Sequence, residues 1–366
     1  MTLLFISRRE EGLGLAMRCL SEGYSVIFYT EDEEATFVGN SLVDKPSFCK
    51  HLLNQRGECV ASNVNQLLSE VKPDLVIFSG QGLGKVADYI REQKISVFSG
   101  SHWTDILSTN KEYSRDVMKR VGIERWKGEE GIRIECGFWW DGLKPSLPFI
   151  VWNENRFMTD SLGPIVGSAS NIVHCFHLHS SLILESVGKM EPLLKKSKFR
   201  GILSISTVVT KNKIYGISFT VDSPFLSSLT ELYKGSLTNL LLSISNGYKI
   251  EGEMTTDYSL SLLLSIPPFP NLPSTYKKTS IKGINSSNLR HLHLFDCMKN
   301  GEEFENAGVS GKLMMVSARG RDAGECKKRV MKTVSNLEIE DVQYRTDPTK
   351  RFSIEESKLQ EWCYLI

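Results

Sequence analysis

Short apolar runs alternate with helical patterns through the first hundred residues, and this alternation constrains the fold more than any other feature of the chain. Buried strands are predicted at Leu3–Ile6, Ser25–Tyr29, Leu75–Phe78 and Ile95–Phe98. Helical spacing occupies the segments between them. Apolar strands separated by helices are typical of a parallel sheet that is covered on both faces. The sequence therefore predicts an amino-terminal α/β domain.

A glycine-rich loop follows one of these strands and opens a helix. The loop has the sequence Ser-Gly-Gln-Gly-Leu-Gly and contains Gly80, Gly82 and Gly84. Glycines let backbone N–H groups approach an anion, and ligands of open parallel sheets bind at the carboxyl ends of the strands. The spacing is not that of a dinucleotide-binding loop, so a tight turn and a phosphate-binding loop are both open interpretations.

The sequence pattern changes after residue 110, where strands become more frequent. We predict three domains: residues 1–108, a parallel α/β domain; residues 109–265, a strand-rich domain; and residues 266–366, an α+β domain. Helices are expected at Asn110–Val121, 176–190, 226–244 and Asp322–Leu337. Strands are expected at Ile132–Ile134, Phe149–Trp152, Gly201–Thr210, Lys213–Val221, Lys312–Ala318 and Val342–Thr346.

Composition excludes several classes of function. The 366 residues include 44 Lys+Arg and 43 Asp+Glu, and a net charge of +1 favours neither bulk nucleic acid nor an anionic membrane as a partner. Eight scattered cysteines with no Cys-x-x-Cys pair predict reduced thiols. The chain begins with neither the order of a secretory signal nor a long apolar run. We therefore predict a cytoplasmic protein without a membrane segment.

Six segments carry motifs in a fixed order along the chain. They are Pro73–Phe78, Val97–Ser101, Asn110–Ile123, Phe199–Leu203, Gly311–Gly320 and Arg345–Asp347. In this order they resemble phosphoribosylamine–glycine ligase, the glycine-adding enzyme of purine synthesis in the ATP-grasp superfamily. The resemblance spans almost the whole chain. It implies an amino-terminal pre-ATP-grasp domain, a central ATP-grasp large lobe and a carboxy-terminal α+β domain.

One lobe of that fold is expected to be missing. An ATP-grasp ligase holds ATP between two lobes, and the small lobe supplies a glycine-rich loop and a lysine over the phosphates. Here only eight residues, 124–131, separate the helix ending at Ile123 from the strand beginning at Ile132. Eight residues can close a turn but cannot form a lid of several strands. The resemblance therefore implies an incomplete ATP-grasp lobe in residues 109–265.

The magnesium ligands of the family are also replaced. Its Glu and Asn ligands match Gly216 and Ser218 here, and an arginine matches Thr220. Glycine offers no side-chain ligand to a hard cation, and a serine hydroxyl is a poor substitute for one. Asp222 is a weak candidate, since it shares a face with these residues only if strand pairing continues unbroken. We expect no metal site and no catalytic residues.

Several positions still match the family. Lys111 matches the lysine that approaches the nucleotide, and Glu135 matches an acidic residue beside the sugar of the nucleotide. Gly163 lies where the family has its glycine-rich substrate loop. Arg8 and Arg9 lie in the altered amino-terminal loop and are candidates for binding a phosphate. Together with the glycine-rich loop, these positions allow a pocket for a phosphorylated sugar.

Other conspicuous residues are interpreted as structural. The histidines between His174 and His179 lack a carboxylate that would complete a tetrahedral metal site, so a polar entrance to a helix is expected. His293 is expected to be structural. Trp139-Trp140 could stack on a base but are more typical of buried aromatic residues. Cys136 has no histidine base linked to it by a motif and is expected to be inert.

The expected function follows from these losses. Phosphoryl transfer depends on positioned phosphates and neutralised charge, so a chain without lid and metal carboxylate is expected to be inactive. We predict a binding or regulatory protein for a nucleotide-like metabolite or a protein partner, with no cofactor. The alternative is a working ATP- and magnesium-dependent carboxylate–amine ligase that has rebuilt its site or borrows a lobe. Apolar surface left by the missing lobe makes an oligomer a further hypothesis.

Overall fold

The computed structural model of the chain describes residues 1–221, 224–271 and 278–365. Its first part alternates strands and helices, as the sequence predicts. The elements are β1 (Thr2–Ser7), α1 (Leu13–Ser21), β2 (Ser25–Thr30), α2 (Ala61–Val71), β3 (Leu75–Ser79), α3 (Gly84–Glu92), β4 (Val97–Phe98), α4 (His102–Thr109) and α5 (Lys111–Val121). The four strands form a parallel sheet in the order β2-β1-β3-β4.

The residues of β1 are buried on both faces of this sheet. Leu3 and Phe5 pack in one hydrophobic cluster with α1, whereas Leu4 and Ile6 pack in another with α2 and α3. Successive side chains of a strand point to opposite faces, so helices cover the sheet on both sides. This arrangement confirms the predicted amino-terminal α/β fold.

The rest of the chain builds a large antiparallel sheet. Up to residue 265 the elements are β5 (Ile132–Trp140), β6 (Pro145–Arg156), β7 (Ile165–Cys175), α6 (Ser181–Leu184), α7 (Glu191–Leu194), β8 (Gly201–Val209), β9 (Ile214–Val221), α8 (Leu226–Leu232), β10 (Tyr233–Lys234), α9 (Leu237–Asn246), β11 (Glu253–Met254) and β12 (Tyr258–Ser265). They are followed by β13 (Ser280–Lys282), β14 (Leu292–Leu294), β15 (Cys297–Asn300), β16 (Glu303–Asn306), β17 (Lys312–Gly320), α10 (Ala323–Ser335), β18 (Glu338–Ile339) and α11 (Phe352–Glu361). Eight of these strands form one sheet in the order β14-β17-β12-β7-β6-β5-β8-β9. The mixed architecture confirms the predicted α/β class.

The large sheet continues across the predicted boundary at residue 265. β12, before the boundary, pairs with β17, after it, and Leu262 lies opposite Val316. Side chains from both sides also share one hydrophobic cluster. The two later segments are therefore joined by backbone pairing and by a common core, and their separation into domains 109–265 and 266–366 stays a prediction.

Helix α5, which precedes the short connection of residues 124–131, begins and ends where the sequence predicts. The Asn110 side chain accepts hydrogen bonds from the N–H groups of Glu112 and Tyr113. Gly122, with a φ of 76°, follows the last turn of α5. Residues 124–131 contain no helix or named strand before β5 begins. The short connection expected in place of a lobe is therefore present.

The predicted strand Val342–Thr346 is wrong. Only Gln343 forms an isolated bridge, with Ser265. Arg345 instead lies buried, and its guanidinium bonds Glu154 at 3.2 Å and Asp347 at 3.0 Å. The segment bends to bring this cation to its two carboxylates, so it does not extend along a strand.

The histidine segment also differs from the prediction. β7 continues to Cys175, so His174 lies on a strand, and its ring stacks on Tyr258 with centroids 4.5 Å apart. The polar helix entrance expected there is wrong at His174. The helical pattern of 176–190 yields only α6 and a short 3-10 turn, Val187–Met190. The helical pattern of 226–244 yields α8 and α9, separated by β10.

Within the described ranges, no helix combines the length and the apolar character that a bilayer crossing requires.

Candidate binding site at the edge of the parallel sheet

A cavity of about 470 Å³ lies where the carboxyl ends of β1, β3 and β4 face the large sheet. The parallel sheet contributes the residues that follow its strands, including Arg8, Gly80 and Ser99. The opposite wall comes from β9, β14 and β17, with Thr220, His293 and Lys312 among the lining residues. This is the edge at which ligands bind in open α/β sheets.

Two cations line the cavity without an acidic partner. Neither the Arg8 guanidinium nor the Lys312 ammonium forms a hydrogen bond or ion pair with another residue in the described part of the chain. The Lys312 ammonium lies 3.9 Å from the centre of the Phe295 ring. Burial lowers the pKa of Lys312, and the carboxylates of Glu10 and Glu11 act in the opposite direction. Glu11 also lines the cavity, so the wall carries two cations and one carboxylate.

His293 forms part of the same wall. Its ring lies so close to α1 that a Cβ added to Gly14 would be 2.4 Å from the ring carbon Cγ. It also contacts the Phe295 ring edge-on at 5.2 Å between centroids. Burial, with a smaller contribution from Lys312, lowers the pKa of His293 to about 3. The imidazole is neutral at physiological pH and contributes a hydrogen-bonding group rather than a charge.

In the glycine-rich loop, two of the backbone N–H groups that could bind an anion are already hydrogen-bonded. The N–H groups of Gly82 and Gly84 donate to the Asp105 carboxylate at 3.1 and 2.7 Å. A Cβ on Gly84 would lie 2.2 Å from the Ser101 carbonyl carbon, so glycine is required there for packing. Only Gly80 of the three lines the cavity. For Gly82 and Gly84 the geometry favours the tight-turn interpretation.

The remaining predicted residues outside the large sheet lie elsewhere. Arg9 is 3.4 Å from Asp32 and 3.3 Å from Glu34. The Gly163 carbonyl accepts a hydrogen bond from Arg156 at 2.7 Å. Lys111 is exposed in the first turn of α5. The structure thus brings Arg8 and Gly80 together at the cavity and leaves these three outside it.

Glu135 lies directly behind the cavity wall. It is 8% exposed on β5, and its carboxylate accepts hydrogen bonds from Ser204, at 3.1 Å, and from Thr220. Thr220 also lines the cavity. Burial raises the pKa of Glu135 to about 7, and the two hydroxyl groups oppose that rise. Glu135 is therefore linked to the cavity through one hydroxyl, without facing it.

The residues that match the magnesium ligands do not share a face. Ser218 pairs with Ser206, whereas Gly216 pairs with Thr207, the next residue on β8. This register shift turns Gly216 to the opposite side of the sheet from Ser218. Pairing is regular from Ser218 to Val221, which lies opposite Leu203. Asp222 itself lies outside the described residues, so its role as a weak metal candidate stays a prediction.

The space beside Gly216 is filled. A Cβ on Gly216 would lie 2.8 Å from Cγ2 of Ile123 and 3.1 Å from the sulfur of Met118. The backbone N–H of Gly216 donates to Glu124 at 2.8 Å, and its carbonyl accepts from Trp126 at 3.0 Å. The connection that replaces the lobe is thus hydrogen-bonded to β9, the edge strand. No group of three or more His, Cys, Asp or Glu in the described ranges could hold a metal ion.

Two residues interpreted as structural are deeply buried. The Trp139 ring packs against Phe98, with centroids 5.8 Å apart, and thereby joins the two sheets. Cys136 is fully buried, which raises the pKa of its thiol to about 12. A thiol held in its neutral form is a poor nucleophile.

Sequence patterns did not identify Lys312 and His293 as cavity residues. Both come from strands of the large sheet that lie far along the chain from Arg8. Lys312 belongs to a segment that carries the family resemblance, but no local feature sets it apart from a surface lysine. Only the packing of the two sheets places it beside Arg8.

Solved structures with a similar fold are numerous. Phosphoribosylamine–glycine ligase from Thermotoga maritima has a TM-score of 0.68 at 14% sequence identity, over 94% of this chain and 99% of that one. Phosphoribosylglycinamide synthetase from Anaerococcus prevotii has a TM-score of 0.61 at 12% identity, over 92% and 98%. A biotin carboxylase–ATP analogue complex from Campylobacter jejuni has a TM-score of 0.59 at 11% identity, over 97% and 95%.

No family model matches the sequence, and no curated protein is significantly similar to it. The likeness at these identities establishes the fold, which is that of the ATP-grasp ligases and carboxylases.

Proposed function

We propose that this protein is a catalytically inactive relative of the ATP-grasp ligases that binds a small anionic metabolite in the cavity at the edge of the parallel sheet. The observation that carries the proposal is the pair of cations, Arg8 and Lys312, which line the cavity and form no hydrogen bond or ion pair with a carboxylate in the described residues. Placing a lysine in a half-buried site without an ion-paired carboxylate is unfavourable. A bound anion would remove that penalty.

The chemistry of the wall indicates the kind of ligand. Around the two cations the cavity is largely apolar, with Leu15, Phe78 and Ile202 among its lining residues. Hydroxyl groups come from Ser99 and Thr220. A ligand with a phosphate or carboxylate at one end and a sugar or ring at the other satisfies both parts. We therefore assign a nucleotide-like or sugar-phosphate metabolite as the ligand class.

The lack of catalysis is supported at β9. Ile123 and Met118 fill the space beside Gly216, and the backbone of residues 124–126 pairs with the strand edge. A magnesium ion that neutralises a triphosphate needs carboxylate ligands, and the position that would supply one is closed.

Ligand binding is tested by thermal unfolding with sugar phosphates and nucleoside monophosphates at constant ionic strength. A ligand of the folded state raises the melting temperature by mass action. Arg8→Gln and Lys312→Gln should abolish the rise. Arg56→Gln, an equal loss of charge on an exposed loop, should preserve it. A rise that persists in both cavity variants contradicts the proposed site.

The full-length likeness to phosphoribosylamine–glycine ligase favours a second candidate, an active ATP-dependent carboxylate–amine ligase. This function requires magnesium-ATP, an amino acid such as glycine and an amine such as phosphoribosylamine. ADP formation that depends on all three would establish the ligase and exclude the inactive binder. Its absence across amine and amino-acid panels favours the binder.

A further inference from the structure

A second cavity, of about 460 Å³, lies on another part of the molecule. Its walls come from the end of α3, the residues before β8, the turn after β5 and the end of α9. It shares no lining residue with the cavity described above. The two sheets meet here, because α3 belongs to the parallel part and β8 to the large sheet.

Four cations line this second cavity: Arg91, Lys94, Lys198 and Arg200. No lining residue is acidic. Two carboxylates lie just outside, where Asp88 pairs with Arg91 at 3.2 Å and Glu92 pairs with Lys198 at 3.2 Å. Lys94 and Arg200 have no acidic partner in the described part of the chain. The cavity therefore carries an excess of positive charge.

Arg91 is almost fully buried, with 9% of its side chain exposed. Its terminal nitrogens donate to the carbonyls of Ser99 and Gly100, at 2.6 and 2.5 Å. Its Nε–H is buried and has no hydrogen-bond partner. Burial, together with the neighbouring charge of Arg200, lowers the pKa of Arg91 to about 10. The donors of Arg91 are thus bound to the protein or enclosed within it, and the residue adds positive charge to the cavity wall.

Arg200 lies beside Arg91 with most of its donors available. One N–H caps α9 by donating to the Ser245 carbonyl. Its Nε lies 2.7 Å from the position that a Cβ on Gly142 would occupy, so glycine is needed for the guanidinium to lie against this turn. Two guanidinium groups with no carboxylate between them repel each other. Guanidinium groups also match the geometry of phosphate oxygens.

We propose that this second cavity binds a multiply charged oxyanion of the phosphate type. The Arg200 guanidinium contacts the anion, Lys94 and Lys198 flank it, and Arg91 contributes its charge from the wall. The anion links α3 to the residues before β8 and so stabilises the contact between the two sheets. The site is independent of the proposed function, because the two cavities have separate linings.

The test uses the full chain and three probes: inorganic pyrophosphate, orthophosphate and AMP. Binding is measured by titration calorimetry and by thermal unfolding, with sodium chloride holding the ionic strength constant. Comparing the three probes distinguishes a site for free inorganic anions from a site for a nucleoside phosphate. Pyrophosphate is expected to bind and to raise the melting temperature. Arg200→Gln should weaken binding at least about tenfold, the effect of losing a charged hydrogen bond.

Three further variants distinguish binding at the two cavities and control for changes in stability. Lys94→Gln changes an exposed residue, does not disturb the core and should weaken binding severalfold. Arg8→Gln and the loop variant Arg56→Gln should bind pyrophosphate as the unmodified protein does. The proposal is overturned if no probe binds at millimolar concentration, or if Arg200→Gln and Lys94→Gln bind as tightly as the unmodified chain. Loss of binding in Arg8→Gln alone would assign the anion to the first cavity.

Discussion

The edge of the large sheet at β9 and the carboxyl edge of the parallel sheet have opposite characters. At β9, hydrocarbon from Ile123 and Met118 fills the space beside Gly216, and backbone hydrogen bonds close the strand edge. At the parallel sheet, Arg8 and Lys312 line an open cavity and form no ion pair with a carboxylate in the described residues. One edge is closed by apolar packing, whereas the other carries cations that are not ion-paired.

This difference distinguishes residues that stabilise the fold from residues that would bind a ligand. Buried positions released from a chemical role are free to become apolar, since packing stabilises them. A lysine half-buried without a partner is retained only where something compensates for it. The packing at the β9 edge therefore serves stability, whereas the proposed function assigns the cavity to ligand binding. Four substitutions test this contrast.

The largest change in stability is expected from Gly216→Glu, which places a carboxylate at β9. The new side chain must displace Ile123 and Met118 and bury a charge beside them. The free energy of unfolding should fall by about 4 kcal/mol, as measured by urea denaturation. Ser218→Glu, an exposed change on the same strand, should alter it by less than about 0.5 kcal/mol. A stable Gly216→Glu variant that gains magnesium-dependent ATP hydrolysis would contradict the closed-edge interpretation.

The second effect concerns the dependence of stability on pH at Glu135. Its folded pKa of about 7 lies above the ordinary value of 4.5, so the folded state holds a proton that the unfolded state releases. Stability should therefore fall as pH rises from 4.5 to 7, by about 3 kcal/mol from this group. Glu135→Gln retains an acceptor for Ser204 and should remove that part of the slope. The exposed Glu130→Gln should preserve the slope, and an unchanged slope in Glu135→Gln would show that other groups cause it.

Local sequence patterns were sufficient for the elements that flank both edges. The strand β1, the helix predicted at Asn110–Val121 and the length of the 124–131 connection depend on neighbouring residues, and each is found as expected. The register shift before Thr207 was not predictable, because it arises from pairing between strands. Lys312 reaches the cavity only through the packing of one sheet on the other. Arg345 broke a predicted strand because its partner Glu154 is distant in sequence.

A third, smaller change in stability is expected from a substitution beside the glycine-rich loop. Asp105→Ala removes the carboxylate that accepts the N–H groups of Gly82 and Gly84. The free energy of unfolding should fall by about 1.5 kcal/mol, mainly because the partly buried N–H of Gly84 is left unpaired, while the exposed N–H of Gly82 can bond water. Asp116→Ala, on the exposed side of α5, should leave it nearly unchanged. If Asp105→Ala is equally harmless, the N–H groups are satisfied by solvent and are available to an anion after all.

The smallest change in the free energy of unfolding is expected from Lys312→Met, and the sign of that change is informative. Methionine fills a similar volume beside Phe295 without burying a charge, and the lost cation–π contact offsets part of that gain. The free energy of unfolding should rise by about 1 kcal/mol, while stabilisation by sugar phosphates should disappear. Lys299→Met is the matched control, since Lys299 lies over Phe304 at 5.2 Å outside the cavity. It should leave ligand binding intact. A Lys312→Met variant that loses stability would show that the lysine supports the fold, and the distinction between the two edges would then disappear.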